Sequence, residues 1–316
     1  VAVTFEELMS RNRRNSVLLA FFVSLFLIAL GGMMGYVIGI YEYGQQADWQ
    51  GPTLAGMGIA FGLAIIMLLF SYYGGQQAVL AISQARQIEK KDDPQLFNVV
   101  EEMSIAAGIP MPRVYVIDDT APNAFATGRD PSHAAITVTT GLRQKLTRDE
   151  LQGVIAHEMS HIRNLDIRFA MLMAVMVGSI VLLSDFFRRY LWSGSRRRSR
   201  DSGRDSGPWV AIILIVAIVL SILAPLIAKL IELAVSRQRE YLADASGVEL
   251  TRNPDGLASA LAKISGDPEV LEAANRATQH LYIVNPVKPF EERAAMVFST
   301  HPPIKDRITR ILSLKH

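Results

Sequence analysis

The sequence predicts a mainly α-helical fold with a small β-sheet, anchored in a bilayer by apolar helices. Half of its 316 residues are hydrophobic and only 20% are charged, with a mean hydropathy of +0.23. Two uncharged stretches near the N-terminus reach membrane length, and three short β-like runs interrupt otherwise helical apolar periods. This balance excludes a disordered chain and is unlike an ordinary soluble enzyme. Lys plus Arg number 32 against 30 Asp plus Glu, a formal charge of +2, so no global basic field calls for nucleic acid. Cysteine is absent, which removes disulfides, thiolate ligands and a Cys nucleophile. Any metal must therefore be held by His and carboxylate.

The first stretch, Leu18 to Ile40, exceeds the roughly 20 apolar residues that cross a bilayer and also exceeds the apolar region of a cleaved signal peptide. A second, Thr53 to Gly74, predicts the return span of a hairpin. Arg11, Arg13 and Arg14 precede the pair, Arg86, Lys90 and Lys91 follow it, and the connector has no Lys or Arg, so both ends should face the cytoplasm. A third stretch, Phe169 to Ser184, covers only about 24 Å as a helix against a hydrocarbon core of about 30 Å. The fourth, Ser206 to Ala228, is long enough, with Pro225 as a kink. Because seven Arg between residues 188 and 204 would end up outside, two arrangements stay open: a strained crossing pair, or a pair that dips in or packs without crossing.

Pro94 opens a helix with an apolar period through Leu96, Val99, Val100 and Met103, and Gly108 to Pro110 breaks it. Arg113–Ile117, Asn123–Thr127 and Ala134–Thr139 read as strands. Thr147 and Glu150 have capping-box spacing, so a helix should start at Arg148. Further helices are expected over Lys229–Leu250, Pro254–Ile264 and Pro268–Gln279, with a last one after Pro302 and Pro303. The organisation is then 1–83 (tail and hairpin), 84–168 (first catalytic part), 169–228 (apolar pair with an Arg-rich linker at 188–207) and 229–316 (second catalytic part).

The helix from Arg148 carries His157-Glu158-Met159-Ser160-His161. Spacing of i, i+4 puts both imidazoles on one face, where a single Zn²⁺ can bridge them, and Glu158 is turned by about 100° to reach a metal-activated water. A catalytic zinc needs a third protein ligand and an open position. Asn164 and Ile167 stand where an HExxHxxGxxH pattern requires Gly and His, so that ligand must come from elsewhere. Glu240 and Asp244 share a helix face downstream, in the ExxxD arrangement of gluzincin metalloproteases, the alternative being a solvated face among Arg237 and Arg239.

NAFATG at 123–128, HEMSH at 157–161, REYLADA at 239–245 and STHPP at 299–303, with the N-terminal hairpin and the apolar pair, resemble in kind and order the HtpX heat-shock membrane proteases, relatives of the CAAX prenyl proteases. The resemblance covers nearly the whole chain and departs in the Arg-rich linker. It implies a gluzincin-type zinc metalloendopeptidase of the bacterial or archaeal plasma membrane. Such an enzyme is multi-pass with its site facing the cytoplasm, and it acts on misfolded or membrane polypeptides in stress-linked quality control. His157, His161 and Glu240 would ligate one Zn²⁺ per chain, Glu158 would be the base, and Asp244 would orient a ligand. Asn123, Ala124, Phe125, Ala126, Thr127 and Gly128 would form an edge strand that receives an extended substrate, against the plainer reading of an ordinary strand. His301 and Arg307 would face the substrate or the oxyanion, although His301 could equally cap a turn before Pro302.

The residues also bear on two other classes. An intramembrane protease is disfavoured by Arg148, Asp149, Glu150 and Gln152 ahead of His157, a set too polar for hydrocarbon. A non-catalytic zinc scaffold or adaptor would need a closed site of four ligands, and only His301 is placed to supply the fourth.

Overall fold

A computed structural model describes residues 5–43, 49–172, 237–271, 281–284 and 302–314. These form two compact units, one of residues 17–72 and the other of 5–16 and all described residues from 73 onward.

In the first unit, α1 (Phe5–Tyr43) lies against α2 (Gln50–Ile82) through small residues. A Cβ added to Gly31 would sit 2.5 Å from the Gly56 carbonyl oxygen, and one added to Gly35 would overlap the Pro52 carbonyl, so only glycine lets the backbones come this close. The most apolar 18-residue stretches of the two helices have mean hydropathies of 2.4 and 2.3, and only 12% and 11% of them is buried. Phe21, Phe22, Leu54, Ile59, Phe61 and Ile66 are exposed. An apolar surface of that extent is costly in water, and both helices are long and apolar enough to cross a bilayer.

The second unit is built on a mixed sheet of order β1-β2-β4-β3. β2 (Arg113–Ile117) pairs in parallel with β4 (Ala134–Thr139), and β4 pairs antiparallel with the outer strand β3 (Ala124–Gly128). All three stand within one residue of their expected places. β1 (Arg86–Gln87), antiparallel to β2, was not expected, because two residues show no alternation. Every residue of β3 and β4 is buried, so this half of the sheet is covered on both faces.

Asp93 caps α3 (Pro94–Ala107) by accepting from the Leu96 N–H, and Gly108 closes the helix at φ 66°, a left-handed conformation that suits glycine. The expected face of Leu96, Val99, Val100 and Met103 is buried. α4 (Thr140–Lys145) follows β4 without a break, capped by Thr139, and its six residues are too few to show a period. α5 (Arg148–Arg163) begins with the expected capping box between Thr147 and Glu150. α6 (Arg237–Thr251), α7 (Pro254–Gly266) and α8 (Ile304–Leu312) complete the unit.

The helix expected from Pro268 does not start there. Residues 268–271 are not helical; the Asp267 side chain accepts from the Glu269 N–H and turns the chain instead. Proline at a first helical position permits a helix but does not compel one. Residues 272–279 of that expectation lie outside the described residues, as do the Arg-rich linker, the fourth apolar stretch and all of the third beyond residue 172. Residues 166–172 are helical.

α5 is the central helix. Its Leu151, Val154, Ile155, Met159 and Ile162 are fully buried against Leu96, Val99 and Val100 of α3, Ile136 of β4, and Leu257 and Leu261 of α7. The capping Glu150 also ties α5 to α7: its carboxylate accepts from Ser259 Oγ at 2.5 Å, Lys263 Nζ at 2.8 Å and the Thr147 N–H at 2.8 Å. Burial works against its charge, yet the Lys263, Ser259 and Thr147 hydrogen bonds prevail and hold its carboxyl at about 2. The helix bearing the HExxH sequence is thus fixed at its start as well as along its length.

Candidate metal centre

One turn of α5 separates His157 from His161, whose rings meet edge to face with centroids 4.8 Å apart. Their Nε2 atoms lie 3.2 Å from each other. α6 brings Glu240 to the same point, Oε2 at 3.8 Å from His157 Nε2 and Oε1 at 3.6 Å from His161 Nε2. Ligands bound at 2.0–2.1 Å in a tetrahedron stand roughly 3.3 Å from one another. The observed spacing is close to that without adjustment. α6 can approach because a Cβ at Gly247 would already lie 3.2 Å from the His157 backbone nitrogen, so a larger side chain would push the helix away.

Both imidazoles have a carboxylate behind them. His157 Nδ1 lies 3.0 Å from Asp244 Oδ1, a short contact that is poorly aligned as a hydrogen bond, and His161 Nδ1 lies 3.0 Å from Asp166 Oδ2. A proton on each Nδ1 satisfies these carboxylates and leaves both Nε2 lone pairs aimed at each other. A metal ion can accept both lone pairs, and without one a proton on His161 bridges the two nitrogens. Three buried carboxylates, Glu158, Glu240 and Asp244, also surround one buried guanidinium, Arg307. The donor set therefore fits a divalent ion in both geometry and charge.

Burial pushes Glu158 up to about 7, with the Glu240 charge adding to the effect, while His161 and an N–H bond from Ala126 oppose it. His157 is lowered by burial, against the pull of Asp244. His161 is raised to about 9: burial opposes its charge, but the Asp166 hydrogen bond and the Glu240, Asp166 and Glu158 carboxylates outweigh it. These directions belong to the protein's groups alone, since a bound dication favours the deprotonated form of every neighbour.

Arg307 is completely buried. Its Nε and Nη2 donate to both Asp244 oxygens at 2.9 and 2.7 Å, Nη1 donates to the Ile283 carbonyl at 2.9 Å, and Nη1 lies 3.3 Å from Glu240 Oε2. Nη2 is 3.5 Å from His157 Nε2. His301 lies outside the described residues.

β3 borders this centre. The Thr139 N–H donates to the Asn123 carbonyl, so odd-numbered residues of the strand face β4 and the polar backbone groups of Ala124, Ala126 and Gly128 point to the outer edge. Part of that edge is taken. The Ile283 N–H donates to the Ala124 carbonyl at 2.9 Å, Asn123 Nδ2 donates to the Val284 carbonyl at 2.9 Å, and Tyr282 stacks edge to face on Phe125. The Ala126 N–H donates to Glu158. Among the described residues, the Ala126 carbonyl and the Gly128 N–H and carbonyl are the outward groups left without a partner. Sequence reasoning missed three features here: Asp166, Gly247 and the 281–284 segment. Only Asp166 carried a signal, an acidic residue just past the HExxH helix.

The sequence model of peptidase family M48 matches residues 90–315, a span that contains the whole centre. The chain belongs to peptidase family M48. A "Protease HtpX homolog" of Lactobacillus helveticus is 41% identical over 303 residues, covering 96% of this chain and 97% of that one. Another of the same description from Dictyoglomus thermophilum is 44% identical over 310 residues, covering 98% and 94%. A crystal structure of S. mikatae Ste24p is 18% identical with a TM-score of 0.47; 96% of this chain aligns with 66% of that one, so the chain spans about two thirds of its length. As an M48 member the chain is a metallopeptidase acting on peptide substrates, which sets the scaffold alternative aside. The expected mainly helical class with a small sheet and two apolar helices is also what the M48 chain has.

Proposed function

We propose that this M48 peptidase is a zinc-dependent integral-membrane endopeptidase that cuts misfolded or membrane polypeptides at the cytoplasmic face of the plasma membrane. The observation that carries the reading is the convergence of His157, His161 and Glu240 on one point, with the Glu158 carboxyl buried beside β3. The three are the ligands in this proposal. The two exposed apolar helices support insertion, and Arg11, Arg13, Arg14, Arg86, Lys90 and Lys91 at their outer flanks support a cytoplasmic site. Stress-linked quality control is what the motif resemblance to the HtpX heat-shock membrane proteases implies.

When bound, zinc supplies Lewis acidity, polarising the scissile carbonyl and lowering the pKa of water. Glu158 takes a proton from the attacking water and returns it to the leaving amine. Asp244 keeps the proton on His157 Nδ1, so the Nε2 lone pair faces the centre. An extended substrate lies along β3 and pairs with the Ala126 carbonyl and Gly128 N–H. Arg307 adds positive potential near the carbonyl oxygen while its other donors hold Asp244 and Ile283; His301 would share the oxyanion.

The test uses the full chain in nanodiscs with casein or a membrane protein bearing an unfolded cytoplasmic loop. Internal cleavage that stops with a zinc chelator and returns with added Zn²⁺ is expected. Cleavage insensitive to the chelator, or none from a zinc-loaded chain, would contradict the proposal.

A further inference from the structure

We propose that Asp166 is a positioning residue of the metal centre, fixing the His161 ring and coupling it to the helix that supplies Glu240. The inference rests on the ligand reading above and extends it to a residue outside the recognised motifs. Of the two imidazoles, His157 is the better packed, with its side chain 1% exposed against 16% for His161. The more exposed ring gains most from a second hold that keeps its Nε2 on target. Asp166 supplies it: Oδ2 lies 3.0 Å from His161 Nδ1.

The chain makes an unusual turn to deliver that carboxylate. α5 ends at Arg163, and Leu165 then adopts φ 60°, a left-handed conformation that costs a β-carbon-bearing residue roughly 1–2 kcal/mol. The turn brings residue 166, at the start of the next helical run, back under the ring. A local conformation that is unfavourable in itself persists only where surrounding contacts require it.

On its other side Asp166 faces α6. Arg239 Nη1 is 3.8 Å from Asp166 Oδ1, and the same guanidinium lies 5.0 Å from the Phe169 ring centroid. Arg239 immediately precedes Glu240. One carboxylate thus touches a proposed ligand on α5 and the residue next to a proposed ligand on α6. The arrangement parallels Asp244 behind His157, so each imidazole has its own carboxylate.

The experiment measures Zn²⁺ affinity of the detergent-solubilised full chain by competition with a chromophoric chelator. Asp166→Ala should weaken binding by about 10–100-fold, the usual cost of removing a carboxylate behind a ligating His. Asp166→Asn, which keeps an acceptor but no charge, should lose less, and Asp166→Glu should recover part of the affinity. Unfolding of the zinc-free chain provides the control. A role confined to the turn would lower that temperature and leave the affinity of the folded protein unchanged. Should Asp166→Ala fail to fold, the nearly isosteric Asp166→Asn carries the test with the same sign. Affinities within about twofold of wild type for Asp166→Asn, and for Asp166→Ala where it folds, overturn the proposal. His161→Ala separates the two levels: loss of zinc there with unaffected Asp166 variants refutes only the positioning role, whereas stoichiometric zinc in His161→Ala refutes the ligand reading itself.

Discussion

Glu158→Gln should leave the zinc content of the full chain unchanged while lowering kcat on the order of 10² to 10⁴-fold, the range typical of a lost general base. The two halves of this result come from different parts of the geometry. Glu158 is not among the side chains that converge on the metal point, so replacing it leaves His157, His161 and Glu240 in place. Glutamine keeps the volume and can accept from the Ala126 N–H, but it cannot take a proton from water. KM should change little, because the backbone groups of β3 are untouched. A Glu158→Gln chain that turns over at the wild-type rate, or one that loses its zinc, would show that this carboxyl is not the base.

Arg307→Ala should destabilise the chain by about 3–5 kcal/mol, the cost of leaving a buried charge without its partner. Asp244 would lose two hydrogen bonds at 2.9 and 2.7 Å, Ile283 its carbonyl partner, and Glu240 a cation at 3.3 Å. Burial would then press on Asp244 with no guanidinium to hold its charge. Lysine cannot reproduce the two-pronged contact, so Arg307→Lys should recover only part of the loss. Denaturant unfolding of Arg307→Ala, of Asp244→Ala and of the double variant gives the coupling energy of the pair. A double variant no more stable than the sum of the two single losses would mean that the pair is not coupled. Arg307 joins α8 to α6 across the centre, so its loss should loosen the C-terminal helix first.

What the sequence made legible is what local rules control. The capping box at Thr147 and Glu150 marks the start of α5, and i, i+4 spacing then brings the two imidazoles together. The alternating apolar runs bounded by Asp, Pro and Gly mark β2, β3 and β4 to within a residue. Glu240 came within reach because ExxxD spacing constrains one face of one helix. The remainder depends on tertiary contacts with no local trace. Asn123 meets Val284 across 161 positions, and nothing near either residue announces the other. Arg307 looks like an ordinary cation on a short amphipathic helix, yet it is wholly buried because Asp244 and Glu240 come from another helix to meet it. Pro268 misled because its helix-start signal was outweighed by the Asp267 turn.

The central claim is that two imidazoles of α5 and one carboxylate of α6 hold a single zinc. X-ray absorption at the zinc edge of the purified full chain, compared with Glu240→Ala, addresses it directly. The account predicts one zinc per chain with nitrogen and oxygen neighbours at about 2.0–2.2 Å, two of them imidazole. In Glu240→Ala the carboxylate contribution, or the zinc itself, should disappear. A wild-type spectrum without imidazole scattering, or one unchanged by Glu240→Ala, would contradict it.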